Sequence, residues 1–224
     1  MASWMVHLRI ADRLLDRLPD LEVNEFVLGN IAPDSGVPSE DWSYYVPSSE
    51  ESHFKRPNES GDKRVCLPLF VEQYFSPEIR AGYDAKQYSF FLGYLVHLMT
   101  DILWVQNIYE PCERRYPKEV REDRNKLLWS MKRDWYDLDF VYLQEHPDFR
   151  AFEIYRSARD IENVYMDIFG RNAFENRREY IVGFYTAGKD DLDHEYNYLN
   201  KTQMDVFVEE SVVTLLEQLQ EFMK

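Results

Sequence analysis

The sequence predicts an all-α protein, a multi-helix bundle with a buried central helix. Three observations carry this reading. Residues 87–104 are apolar on nearly every side from Phe90 onward, as a helix buried all round must be. The flanking stretches repeat apolar residues at helical spacing, and no segment alternates with period two strongly enough to read as a strand. The central stretch nonetheless carries His97 and Asp101, which leave one helix face a single turn apart. An ionised carboxylate in a dry core is costly unless it is paired or coordinates a metal. The two side chains alone leave both options open, a simple His–Asp bond or a metal.

Taken in order, residues 3–18 read as an amphipathic helix with Trp4, Leu8, Ala11, Leu15 and Leu18 near one stripe and His7 beside it. Asp20 reads as the N-cap of a second helix through residue 31, which Pro33 stops. Asp34 follows, and a turn residue is its ordinary role. The stretch to about Val65, with Pro38, Pro47, Pro57 and Gly61, reads as a long loop. Its aromatic residues Trp42, Tyr44, Tyr45 and Phe54 are too many for a disordered linker, so part of it should fold back on the body. A short helix over residues 67–75 leads to the central helix. Residues 118–144 form a long charged helix whose Asp134, Asp137 and Asp139 are expected on a solvated face. Pro147 starts a helix to Phe169 that Gly170 closes, residues 177–186 form a short buried helix, and Thr202 caps a last one over residues 203–223.

The chain has 224 residues, 45% hydrophobic and 16% aromatic, enough for one domain over residues 1–224 with a real core. A net charge of −15 argues against nucleic acid and anionic membranes as non-specific partners. It leaves an anionic small molecule open, because a metal inverts the local field. Cys66 and Cys112 form no CxxC pair, which argues against a thiolate zinc site. The first residues lack a signal-peptide pattern, and no run reads as apolar enough to span a bilayer. A cytoplasmic protein without a stable membrane anchor is expected.

The chain holds five histidines, and His7, His53 and His97 precede residue 100, interleaved with Asp34 and Asp101. Imidazole and carboxylate together suit zinc, and also iron or manganese. The order His7, Pro33-Asp34, His53-Phe54, then Gly93-Tyr94-x-x-His97-x-x-x-Asp101 resembles the zinc-dependent phospholipase C family, over about residues 1–105. The resemblance implies an all-α fold in which Asp34, His53, His97 and Asp101 hold one zinc. His7 then belongs to a second zinc, with Asp101 bridging. Asn107 stands where that family has a further histidine, so one tight metal, a weaker second and no third are expected.

The function so implied is hydrolysis of a small-molecule phosphoester, with Asp34 or Asp101 orienting or deprotonating a metal-activated water. Lys55 and Arg56 are candidate phosphate contacts, and the loop aromatics candidate pocket walls. His194 is a candidate late ligand, and His146 reads as a helix-end residue. An HD-type phosphohydrolase needs an adjacent His-Asp pair, and the chain offers only Asp193-His194 in the reverse order. A non-catalytic helical module with a structural or vestigial metal site is the reading from a different class. An open coordination position separates it from an enzyme.

Overall fold

Helix α6 (Ala85–Trp104) starts at a reciprocal cap, in which the Gln87 backbone N–H donates to the Asp84 side chain at 2.8 Å and the Asp84 N–H donates to the Gln87 side chain at 3.2 Å. From Ser89 to Trp104 every side chain except Ile102 is buried. The structure, a computed structural model of the full chain, describes residues 1–41 and 43–223; Trp42 of the expected pocket wall lies outside the described residues. Beyond Trp104 the helix runs through a π-helical turn, Val105–Tyr109, into α7 (Glu110–Arg115). The continuous Ala85–Arg115 stretch is long and apolar enough to cross a membrane, contrary to the reading from sequence. Since 83% of its most apolar window is buried inside the protein, core packing accounts for that apolarity.

Helix α1 (Trp4–Leu15) is capped by Ser3, whose hydroxyl accepts from the Val6 N–H. It is buried well beyond one stripe because it lies between two apolar clusters. Val6, Ile10 and Leu14 pack with α6, while Met5 and Leu8 pack with Phe140, Phe152 and Tyr185. Helix α2 (Val23–Gly29) begins after Glu22; Asp20 is no cap but sits in the left-handed region at φ 57°, turning the chain between α1 and α2. Helix α2 crosses α6 with backbones in contact. A Cβ on Gly29 would lie 2.0 Å from the Phe90 carbonyl oxygen, and one on Gly93 would lie 2.2 Å from that of Phe26.

The long loop is partly ordered into two small antiparallel hairpins, a correction to the strand-free reading. β1 (Val37–Pro38) pairs with β2 (Tyr45–Val46), and β3 (Lys55–Pro57) with β4 (Lys63–Val65), Lys55 standing opposite Val65. Strands of two or three residues are too short for alternation to show. Between the hairpins lies α3 (Ser49–Ser52), with a Ser48–Glu51 capping box. Then come α4 (Leu67–Phe70), a π-helical turn Val71–Phe75, and α5 (Pro77–Arg80).

Helix α8 (Pro117–Glu145) matches the expected long helix, broken only at Asp123. Helix α9 (Arg150–Ser157) is much shorter than expected. Further on, the Asn163 side chain holds residues 163–169 out of a helix: its amide donates to the carbonyls of Met166 at 2.7 Å and Phe169 at 2.8 Å, and its oxygen accepts from the N–H groups of Tyr165 and Met166. Those bonds replace helical ones, and Gly170 caps nothing. Helix α10 (Ala173–Thr186) starts four residues earlier than read, and α11 (Lys201–Met223) is capped by Asn200 with Gln203 rather than by Thr202.

Candidate metal centre

The α2–α6 crossing places the first donor. Asn30, just past α2, donates its side-chain amide to the Gly93 carbonyl at 3.3 Å, and its own carbonyl lies 2.8 Å from His97 Nδ1. A carbonyl only accepts, so Nδ1 carries the proton and His97 Nε2 presents a bare lone pair. That lone pair meets His53 Nε2 at 3.3 Å and Asp101 Oδ2 at 3.7 Å.

His53 ends α3. Its Nδ1 is 3.0 Å from the Ser52 hydroxyl, and the Ser52 carbonyl accepts from the Tyr94 hydroxyl of α6. Phe54 follows at φ 52°, a conformation that costs a bulky residue free energy. Its ring is held among Phe70, Tyr74 and Tyr94. His53 Nε2 lies 3.3 Å from Asp34 Oδ1 and 3.6 Å from Asp101 Oδ2. Asp34 ends a single 3-10 turn, Ala32–Asp34, where Pro33 prevents α2 from continuing.

The two oxygens of Asp101 face different partners. Oδ1 accepts from the Ala2 backbone N–H at 2.8 Å and stands 3.4 Å from His7 Nε2, while Oδ2 faces His53 and His97. His7 is fully buried, with its ring stacked on that of His97 at 3.7 Å and 4°. All five predicted donors therefore converge. Their donor atoms form two overlapping sets, Asp34–His53–His97 and His7–His97–Asp101, each within 4.8 Å.

This donor set fits zinc. Bonds of about 2.0–2.1 Å in a tetrahedron put ligand atoms ~3.3–3.4 Å apart, and the His53–Asp34, His53–His97, His53–Asp101 and His97–Asp101 separations run from 3.3 to 3.7 Å. Asp101 Oδ2 and both ring nitrogens of His7 are buried without a hydrogen-bond partner. Orphaned polar atoms in a core are rare and costly, and a cation satisfies them. Burial, chiefly, together with the neighbouring His7 imidazole, pushes His97 down to about pKa 3, so it is neutral, as a ligand must be. Burial pushes Asp34 and Asp101 up. It is outweighed by the hydrogen bond from His53 at Asp34, and by the N-terminal ammonium and His7 at Asp101, and both carboxyls end well below the usual range.

The cluster opens on one side into a cavity of about 820 Å³, which Asp34, His53 and Asp101 line while His7 and His97 stay behind them. Lys55 and Tyr45 line it as expected. Phe54 belongs instead to the core, Tyr44 is exposed off the cavity, and Arg56 is exposed. The sequence reading missed Lys132 on α8 and Arg177 on α10, both lining residues. The available signal was the spacing of Leu128, Lys132, Trp135 and Tyr136, which puts all four on one face of α8.

Asp134, Asp137 and Asp139 are buried, contrary to the solvated face expected. Asp134 accepts from the Tyr198 N–H at 2.7 Å, Asp137 pairs with Lys189 and with His194 Nε2 at 2.9 Å, and Asp139 accepts from Ser3 at 2.8 Å and Tyr185 at 2.7 Å. His194 thus pairs with Asp137 rather than joining the centre. His146 stacks on Tyr142 at the end of α8.

Fold and site define an all-α protein with a buried imidazole–carboxylate metal centre. Residues 6–104 match the family model described as zinc dependent phospholipase C, a stretch that runs from α1 to the end of α6 and holds all five donors. Over that stretch the chain is similar to the zinc-dependent phospholipase C family, and zinc is the cofactor that the similarity implies. No curated protein and no solved structure matches the chain.

Proposed function

We propose that the protein is a zinc-dependent phosphoester hydrolase acting on a small-molecule substrate. The observation that carries this reading is the one-sided opening of the donor cluster onto a large cavity. Structural zinc sites are closed on all sides, whereas catalytic ones keep a position for water or substrate. Asp34, His53, His97 and Asp101 would hold one ion, and His7 with the second oxygen of Asp101 a weaker one. A bound zinc supplies polarisation of a phosphoryl oxygen and a lowered pKa for a ligated water.

The remaining work falls to the chain's own residues. Of the three cluster members that line the cavity, Asp34 is the most exposed, its side chain 11% accessible against 2% for His53 and Asp101. Its carboxylate, held ionised, orients the attacking water and accepts its proton as the oxygen attacks phosphorus. The P–O ester bond breaks, and the leaving oxygen takes a proton from bulk water across the open cavity.

The test is a panel of phosphomonoesters and phosphodiesters incubated with the zinc-loaded protein. Hydrolysis of at least one class, abolished by a chelator and restored by zinc, is expected. Full zinc occupancy with no hydrolysis of either class would refute the enzyme and favour a helical module with a structural metal.

A further inference from the structure

The chain has 41 acidic residues against 26 basic ones, yet its cavity has the opposite sign. Among the described residues, Glu110 is the one acidic lining residue apart from Asp34 and Asp101, while Lys55, Lys63, Arg64, Lys132 and Arg177 all line the cavity. Two of these cations are already neutralised. Lys63 pairs with Glu50, and Arg64 with Asp62 and Glu110, at 3.3 Å each.

The other three differ. Among the described residues, none of Lys55, Lys132 or Arg177 has a carboxylate within 4.0 Å. Lys55 donates only to the Ser49 hydroxyl, at 2.8 Å, besides a long contact to the Met1 sulfur. Lys132 lies 5.0 Å from the Trp129 ring and stands between Leu128 and Trp135–Tyr136 on the cavity face of α8. Arg177 gives one N–H to the Gly36 carbonyl at 2.7 Å, and its buried Nε has no partner. Three separate elements, β3, α8 and α10, thus deliver unneutralised cations to one space. Burial lowers the Lys132 pKa, and the Lys55 ammonium lowers it further against the pull of Asp34, so the two lysines and the centre share one field. Leaving desolvated like charges together is unfavourable unless an anion meets them.

We propose that the substrate carries a second anionic group, a phosphate or a carboxylate, beyond the phosphoryl group at the metal centre, and that Lys55, Lys132 and Arg177 bind it and set specificity. This rests on the hydrolase reading for the reacting phosphoryl group. A headgroup bearing a quaternary or primary ammonium is disfavoured by the same three cations. A cavity of about 820 Å³ is of the size that takes a small ligand.

The test uses four compounds of similar size that differ in the charge distal to one phosphate: ethane-1,2-diol bisphosphate, phosphoglycolate, ethyl phosphate and phosphoethanolamine. Binding to the zinc-loaded full chain is measured by calorimetry, and kcat/KM in parallel. The two compounds with a second anion should bind about 10-fold or more tightly than ethyl phosphate, with phosphoethanolamine weakest. Lys132→Gln and Lys55→Gln should each erase most of that preference, leaving ethyl phosphate affinity and zinc content within about 2-fold. Equal affinity across the series, tightest binding of phosphoethanolamine, or no binding at all would overturn the proposal. The expected binding order without hydrolysis would instead defeat the hydrolase reading alone. Hydrolysis with equal kcat/KM across the series would defeat the anion subsite alone.

Discussion

At the scale of single residues, Asp101 is the group on which the centre depends, because each of its oxygens serves a different partner set. Asp101→Ala should lose all zinc and destabilise the fold by roughly 3–5 kcal/mol, as removal of one partner from a buried charged cluster does. His7→Ala should spare the first zinc and remove only the weaker one, read by zinc content after graded dialysis; loss of all metal on that change would contradict the division of donors. Asp139 makes a pH prediction. Burial raises its pKa to about 7 despite the hydrogen bonds from Tyr185 and Ser3. Between about pH 4 and 7 the unfolded chain has therefore already released the proton that the folded chain still holds, so this group's contribution to stability falls as pH rises. Asp139→Asn has no such proton to lose. Its melting temperature relative to the native protein should be higher at pH 8 than at pH 5, by the equivalent of up to a few kcal/mol, and an unchanged difference would contradict the burial argument. His97 and Asp101 were legible in sequence because ionisable residues stand out on an apolar helix. The surroundings of Asp134, Asp137 and Asp139 were not, since their partners lie 46 to 136 residues away along the chain and the residues themselves look like any charged helix face.

At the scale of elements, the α2–α6 crossing and the ordered loop build the centre. Gly29 and Gly93 let the two backbones touch, and that contact sets the distance from the Asn30 carbonyl to His97. Gly93→Ala would force a Cβ into a gap of 2.2 Å against the Phe26 carbonyl, backbone that has nowhere to go. The helices must part. A loss of ~1–3 kcal/mol or more is expected, with weaker zinc binding. Gly183→Ala, where a Cβ meets nothing within 4 Å, should be stable and bind zinc normally, as helix propensity favours alanine over glycine. Thermal denaturation with and without zinc compares the two, and equal stability would contradict the close crossing. The helices α1, α6, α8 and α11 were readable from periodicity, since each is long enough to repeat its apolar spacing. The hairpins and the non-helical stretch after α9 were not, because two-residue strands carry no pattern and residues 163–169 are held by one asparagine side chain rather than marked by a proline or glycine.

At the scale of the whole molecule, the centre ties together parts of the chain far apart in sequence, from Ala2 to Asp101, under helices α8 and α10. Zinc should therefore stabilise the fold as a whole. At a free concentration 100 times the dissociation constant the gain is about 2.7 kcal/mol, or ~5–10 °C in melting temperature for a chain of this size, and a chelator should reverse it. One zinc among Asp34, His53, His97 and Asp101, with its open side to the cavity, is what all of this requires. Anomalous scattering at the zinc edge from crystals of the zinc-loaded protein would locate it. A dominant peak enclosed by those four side chains is expected, with any weaker second peak beside His7. No peak there, or a dominant one at Asp137 and His194, would contradict it.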